Sequence, residues 1–226
     1  MTEEQKIEIT SLPSETTGEF NFKIVIIGEP GVGKSSIISR GVNNIFTNDY
    51  KATLCFDHSW KNYKVNNTKI RIQLWDTCGQ EVYHSVIKNF YKSALCIFVV
   101  FAIDNNESFD QLSFWLNEIK ESCPNDILIF LVGNKKDKEN ERAVSKEKID
   151  NFIQLNNIVN YYETSAANGE NVDKLFEETV KELYIRNVIP CLNGFYSRND
   201  STFNNTIEKT HLVFHDNEKG CKNCIC

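Results

Sequence analysis

The chain has 226 residues, 41% of them hydrophobic, which predicts one sizeable core with tails rather than two large domains. Its net charge of −6 gives no indication of the basic stripe that nucleic-acid binding usually needs, so no nucleic-acid partner is expected. No basic and apolar leader precedes the rest, and the longest apolar run is shorter than a membrane span. We therefore expect a cytoplasmic protein whose eight cysteines are free thiols.

The first predicted strand, Lys23–Ile27, leads into the clearest motif of the chain. Residues 28–35 read Gly-Glu-Pro-Gly-Val-Gly-Lys-Ser and fit the spacing G-x-x-x-x-G-K-[ST]. Glycines let backbone N–H groups point into such a loop, and a following helix adds a positive field, so the motif predicts a phosphate-binding loop. A dinucleotide-binding loop would need G-x-G-x-x-G, which is absent, and a glycine-rich turn without a ligand is the other alternative.

The segments that follow alternate between strand and helix patterns and predict an α/β domain with helices on both faces of its sheet. Asn66 and Asn67 form the predicted turn of a hairpin, and two later strands are almost entirely apolar, as in buried parallel strands. The strands predicted after the loop are His58–Val65, Thr68–Asp76, Leu95–Phe101 and Ile127–Val132. The predicted helices cover residues 36–42 and the apolar patterns within 109–119, 149–153 and 172–183.

The two ends of the chain differ in composition from the part between them. Residues 1–19 are polar and show little periodicity, so they predict a flexible N-terminal extension. From residue 190 onward the sequence turns to Asn, Ser, Thr and charged residues, which predicts a flexible tail over 190–226. The predicted domain is therefore 20–189.

Three further motifs lie where predicted strands end, the edge at which α/β sheets place their ligands. Residues 74–81 read Leu-Trp-Asp-Thr-Cys-Gly-Gln-Glu, residues 133–137 read Gly-Asn-Lys-Lys-Asp, and residues 163–166 read Glu-Thr-Ser-Ala. The second of these, taken alone, would be typical of a solvated polar loop. Together with the phosphate-binding loop, the motifs resemble the Ras superfamily of small GTP-binding proteins from Phe20 to about Ile189.

This resemblance implies the G domain of the phosphate-loop NTPase fold, with a six-stranded and mostly parallel sheet, one antiparallel edge strand and helices on both faces. It implies GTP and GDP as ligands together with Mg²⁺, and GTP hydrolysis that is slow without an activating protein. Gln80 is the implied catalytic residue, because it would orient the attacking water. The Asp137 carboxylate can accept hydrogen bonds from N1–H and the amino group of guanine, whereas adenine would leave it unpaired.

The site residues that the resemblance implies form three sets. Lys34 would neutralise the β and γ phosphates, Asn134 would brace the base, and the Lys135 stem and Phe46 would cover its two faces. The phosphate set is Gly28, Glu29, Pro30, Gly31, Val32, Gly33, Lys34, Ser35, Ser36, Thr53 and Gly79. The guanine set is Phe46, Asn134, Lys135, Asp137, Ser165, Ala166 and Ala167. The Mg²⁺ ligands are Ser35, Thr53 and Asp76.

Within the superfamily, residues 71–77 and 90–94 resemble the Rab branch, whose members direct vesicle traffic. The chain ends Cys224-Ile225-Cys226, which is similar to the Cys-x-Cys ending on which Rabs carry two geranylgeranyl groups. Two lipid groups are consistent with stable anchoring, because a single lipid chain attaches a protein to a membrane only marginally. Half of a zinc site at Cys221 and Cys224 is the alternative for these cysteines. The implied effector surface is Tyr50, Cys55, Phe56, His58, Trp75, Tyr83 and Phe90.

The Rab resemblance also implies a set of partners. They are a guanine-nucleotide exchange factor, a GTPase-activating protein, a GDP-dissociation inhibitor, a Rab escort protein with geranylgeranyl transferase, and effector proteins. The protein is expected to be a monomer that cycles between the cytosol and the cytoplasmic face of intracellular membranes. Pro30 and Ala167 depart from the usual small residue and lysine at these positions. The alternatives are a GTP-bound membrane scaffold without hydrolysis, with which Pro30 would be consistent, and another Ras-superfamily branch.

Overall fold

A seven-stranded sheet forms the centre of the molecule. The computed structural model describes residues 7–48, 57–77, 91–156 and 158–192. Across the sheet the strands follow the order β1-β3-β4-β2-β5-β6-β7, with β1–β3 and β3–β4 antiparallel and all other neighbours parallel. The strands are β1 (Ile9–Leu12), β2 (Phe20–Ile27), β3 (Asp57–Val65), β4 (Thr68–Asp76), β5 (Ala94–Ala102), β6 (Leu128–Asn134) and β7 (Asn160–Glu163).

Helices cover both faces of this sheet, as the sequence predicts. A 3₁₀ segment, Lys136–Glu141, follows β6, and a π-helical turn, Tyr184–Val188, follows the helix Val172–Leu183. Among the described residues the α-helices are α1 (Lys34–Asn43), α2 (Asn106–Asp110), α3 (Leu112–Ser122), α4 (Lys146–Leu155), α5 (Val172–Leu183) and α6 (Ile189–Leu192). The predicted helical pattern at 109–119 thus corresponds to two consecutive helices.

Strand β2 shows why the sheet is buried on both sides. Its successive side chains point to opposite faces, so Ile24 and Ile26 belong to one hydrophobic core, whereas Val25 and Ile27 belong to the other. Helices α1 and α5 pack on the first core, and α2, α3 and α4 pack on the second. The nearly continuous apolar sequence of the central strands follows from this double burial.

The sheet has one strand more than the predicted six, and the additional strand comes from the N-terminal extension. Residues 9–12 pair antiparallel with Val65 to Asn62 of β3, so β3 is no longer the edge of the sheet. The buried Asn62 side chain donates to the carbonyl oxygens of Pro13 and Ser14, and the Arg71 guanidinium donates to that of Thr16. Ile7 and Ile9 alternate with polar residues and pack against the first core. The alternation is too short to predict a strand, because its pairing depends on a partner strand far along the chain.

Within the described residues, every helix is too short or too polar to cross a membrane. The expected division of the chain into residues 1–19, 20–189 and 190–226 stays a prediction. Most of the C-terminal tail, including Cys224 and Cys226, lies outside the described residues.

Candidate functional site: a phosphate loop joined to a base pocket

The phosphate-binding loop lies between β2 and α1, as its sequence predicts. Gly33 stands in the left-handed region with φ 95°, and a Cβ at this position would lie 2.3 Å from the Asn134 side-chain amide. Gly28 also has a positive φ, of 137°, and a Cβ there would meet the Val100 carbonyl at 2.1 Å. Both positions therefore require glycine: Gly33 because it lies against the Asn134 side chain, and Gly28 because it lies against the backbone of β5.

The loop ends at the N-terminus of α1, where backbone N–H groups and a buried ammonium face the same space. Helix α1 begins at Lys34 without a side-chain cap and without an acidic residue in its first turn, so its N-terminus favours an anion. The Lys34 side chain is 6% exposed, and its Nζ donates to the carbonyl oxygens of Gly28 and Glu29 at 2.7 and 2.9 Å. The lysine therefore stands across the mouth of the loop, where it can meet a phosphate.

Ser35 and Asp76 meet beside this loop and form the described part of the predicted metal site. The Ser35 hydroxyl donates to Oδ2 of Asp76 at 2.5 Å, across 41 residues of sequence. The other carboxylate oxygen, Oδ1, is buried and accepts no hydrogen bond in the described structure. Burial raises the pKa of the Asp76 carboxyl, although the Ser35 hydroxyl opposes this shift. A hydroxyl and a carboxylate with an unused oxygen suit Mg²⁺, which prefers oxygen ligands and their bound waters.

Asn134 connects the phosphate loop to the second half of the site. Its side chain is 2% exposed, and Nδ2 donates to the Val32 carbonyl at 2.8 Å. Its Oδ1 accepts from the Thr164 hydroxyl at 3.3 Å and from the Ala166 backbone N–H at 3.2 Å. One buried amide at the end of β6 therefore joins the segments that follow β2 and β7, and the parallel strands place all three at one edge of the sheet.

Several of the predicted base-recognition residues lie close to Asn134. Asp137 is exposed, and its Oδ1 accepts from the Ser165 hydroxyl at 2.5 Å. The Ser165 oxygen in turn accepts from the backbone N–H of Asn168, which fixes the hydroxyl so that it donates to the carboxylate. Lys135 adopts the left-handed conformation with φ 66°, and Phe46 packs against the edge of the first core. This arrangement leaves carboxylate lone pairs for two donors on one edge of a planar ligand.

Two residues that the sequence analysis missed support this pocket. Arg40, on α1, donates from Nε to the Ala166 carbonyl at 2.8 Å and from Nη2 to the Ala167 carbonyl at 2.7 Å. Asp104, after β5, forms ion pairs with Lys135 and Lys138, whose Nζ atoms lie 3.5 and 3.0 Å from its carboxylate oxygens. Neither residue belongs to a recognisable motif, and only the tertiary structure brings them to the pocket.

The predicted effector surface is described only in part. His58 and Trp75 are opposite residues on β3 and β4, and their rings stack with centroids 5.5 Å apart. The other predicted effector residues lie outside the described residues, as do Thr53, Gly79 and Gln80 of the predicted phosphate, metal and catalytic sets. The missing effector positions are Tyr50, Cys55, Phe56, Tyr83 and Phe90.

The fold and the two joined loops define an α/β protein of the phosphate-loop class with a cluster of polar side chains beside the loop. Comparisons with known proteins agree with this class. A family model described as the Ras family matches residues 23–185. The Ras-related protein Rab-11C of Dictyostelium discoideum is 40% identical over 76% of this chain and 77% of its own length.

Two further relatives match to a similar extent. The Ypt/Rab-type GTPase ypt7 of Schizosaccharomyces pombe is 40% identical over 74% of this chain and 83% of its own. The human Ras-related protein Rab-30 is 38% identical over 70% of this chain and 77% of its own. The chain therefore belongs to the Ras family and is a Rab-like small GTPase, which confirms the resemblance identified from its motifs.

Proposed function

We propose that this protein is a GTP/GDP switch that regulates vesicle-mediated intracellular and protein transport. The observation that carries the proposal is the Asn134 junction, because it unites a phosphate loop and a candidate base pocket in one site. The names of the relatives, Rab and Ypt, support the transport role.

At the phosphate end, the Lys34 ammonium would exchange its two carbonyl partners for the β and γ phosphates. The first-turn N–H groups of α1 would donate to the same phosphates. Ser35 and Asp76 would hold Mg²⁺, with Thr53 as the third proposed ligand. The ion, when bound, would supply positive charge against the phosphates. Because Oδ1 of Asp76 is buried without a hydrogen bond, an oxygen-seeking cation or its water would satisfy it.

At the base end, the Asp137 carboxylate would accept hydrogen bonds from N1–H and the amino group of guanine. Ser165 orients this carboxylate, and the Ala166 N–H would be shared with the guanine carbonyl. Adenine presents an acceptor where guanine presents N1–H, so ATP would leave a polar group unpaired. Sites of this kind discriminate by about 10⁴-fold.

The switch would depend on the γ phosphate. Thr53 and the Gly79 backbone would contact it, and hydrolysis would release the segments that carry them. Gln80 would orient the attacking water, with slow turnover until an activating protein assists. Effectors would recognise the ordered form at a surface that includes His58 and Trp75.

Geranylgeranyl groups on Cys224 and Cys226 would anchor the protein to the cytoplasmic face of intracellular membranes. Attachment would require a Rab escort protein and geranylgeranyl transferase, and a GDP-dissociation inhibitor would return the protein to the cytosol. An exchange factor would reload GTP. Two lipid groups are needed because a single lipid chain binds membranes only marginally.

The test is single-turnover hydrolysis of Mg²⁺-GTP by the purified protein and by Gln80→Leu, with ATP as the loading control. We expect slow hydrolysis that is lost in the variant, and no loading by ATP. Tight GTP binding without turnover in either protein would favour the hydrolysis-deficient scaffold, for which the exposed Pro30 in the loop is the motivating observation. Loading by ATP would refute the guanine assignment.

A further inference from the structure

A hydrogen bond from a residue outside the recognised motifs joins α3 to the phosphate loop. The indole N–H of Trp115 donates to Oε1 of Glu29 at 3.0 Å, across 86 residues of sequence. Trp115 is 1% exposed and belongs to the second hydrophobic core, so its ring is held by packing from the protein interior. The bond is charge-assisted, because its acceptor is a carboxylate.

The backbone and the side chain of Glu29 have different surroundings. Its carbonyl oxygen accepts from the Lys34 ammonium at 2.9 Å, so its backbone faces the proposed phosphate position. Its carboxylate instead reaches the indole on α3. The contact therefore directs a negative charge of the loop toward the helix rather than toward the mouth of the loop.

That direction matters because the proposed ligand is a polyanion. The Glu29 carboxylate would repel the β and γ phosphates if it turned into the loop. This repulsion would be stronger for the triphosphate than for the diphosphate. The same bond attaches the loop backbone to a rigid helix and so reduces the cost of ordering the loop around a ligand.

We propose that Trp115 is a positioning residue for the nucleotide, which acts by holding the Glu29 carboxylate on α3 and away from the phosphates. This inference rests on the proposed function, since it concerns the same phosphate site. Trp115 itself need not touch the ligand. Its effect passes through Glu29 and is strongest for GTP.

The experiment compares GTP and GDP dissociation rates for wild type, Trp115→Phe, Glu29→Gln and the double variant. Trp115→Phe removes the donor and keeps an aromatic ring, so we expect GTP release about tenfold faster, with a smaller change for GDP. In Glu29→Gln the side chain at position 29 carries no charge that could turn toward the phosphates. In that background Trp115→Phe should therefore change the GTP dissociation rate by less than about twofold. Trp60→Phe, at a half-exposed tryptophan on β3, is the matched control and should leave both rates unchanged.

Glu29→Asp covers the case in which Trp115→Phe does not fold. The shorter side chain keeps the charge on the loop but does not reach the indole, so GTP release should accelerate more than in Glu29→Ala. The indole N–H signal of Trp115 in ¹H–¹⁵N NMR should shift in Glu29→Asp and Glu29→Ala, because both lose the hydrogen bond.

Two results would overturn the inference alone, while wild type still binds GTP. One is an equal effect of Trp115→Phe with and without the Glu29 charge, which would mean that the ring acts only by packing. The other is equal release from Glu29→Asp and Glu29→Ala. Failure of wild type to bind either guanine nucleotide would instead overturn the proposed function, and the inference with it.

Discussion

Replacement of Asn134 by alanine would remove the link between the phosphate loop and the base pocket. Three buried groups would lose their hydrogen bond to the Asn134 side chain: the Val32 carbonyl, the Thr164 hydroxyl and the Ala166 N–H. Each unsatisfied buried group costs about 1–3 kcal/mol, and the hydroxyl can rotate to another acceptor, so we expect a loss of about 3 kcal/mol in unfolding free energy. Domains of this size are stable by about 5–15 kcal/mol, so the loss is large.

Thermal and urea unfolding of nucleotide-free protein measure this loss, because bound nucleotide would add stability by mass action. A cost of about 3 kcal/mol should lower Tm by about 6–12 °C in a domain of this length. GTP and GDP affinities should fall together, since the junction positions the phosphate loop and the base pocket at once.

The control is Asn151→Ala, at an exposed asparagine on α4, which should change stability by less than about 0.5 kcal/mol. A loss below about 1 kcal/mol in Asn134→Ala, with nucleotide affinity unchanged, would refute the reasoning. The loops would then keep their positions without the buried amide.

Three further perturbations test other parts of the structure. Gly41→Ala would place a Cβ 2.0 Å from Cε2 of the buried Phe176, so we expect a loss of about 1–3 kcal/mol in urea unfolding. Burial raises the pKa of the Asp76 carboxyl in the folded protein, so folding favours the protonated form. The stability that this protonated carboxyl contributes is full below the ordinary carboxyl pKa and is lost as pH rises through the raised pKa of the folded state. Asp76→Asn should therefore stabilise the nucleotide-free protein at pH 7, measured by Tm across pH, while it weakens Mg²⁺-dependent GTP binding. Arg71→Lys loses the fork that bonds Asn62 and the Thr16 carbonyl, so amide exchange in β1 should accelerate about tenfold, as read by mass spectrometry.

Each of these has a result that contradicts it. Full stability in Gly41→Ala would show that α1 and α5 can separate at no cost. A less stable Asp76→Asn at neutral pH would mean that the buried carboxylate is stabilising in the absence of Mg²⁺. Exchange in β1 that matches wild type in Arg71→Lys would mean that strand pairing alone holds the N-terminal arm, and exchange in β5 should stay unchanged as the internal reference.

The sequence determined the phosphate loop, the strands that carry it and the class of fold. These features are local: a glycine spacing, alternating or continuous apolar runs, and short polar motifs at strand ends. Because parallel strands end at one edge of a sheet, the same patterns also predict that Lys34, Asp76, Asn134 and Ser165 lie near one another. The structure describes all four at that edge.

Only the tertiary structure decided which contacts hold these loops together. The bonds from Arg40 to the Ala166 and Ala167 carbonyls, and from Trp115 to Glu29, join residues that are 126, 127 and 86 positions apart. They depend on side-chain direction that no local pattern encodes. The seventh strand has the same origin, because four residues of the N-terminal extension become a strand only where β3 offers unpaired backbone groups. Periodicity records which face of an element is buried, whereas a hydrogen bond between distant side chains forms only once packing has brought them together.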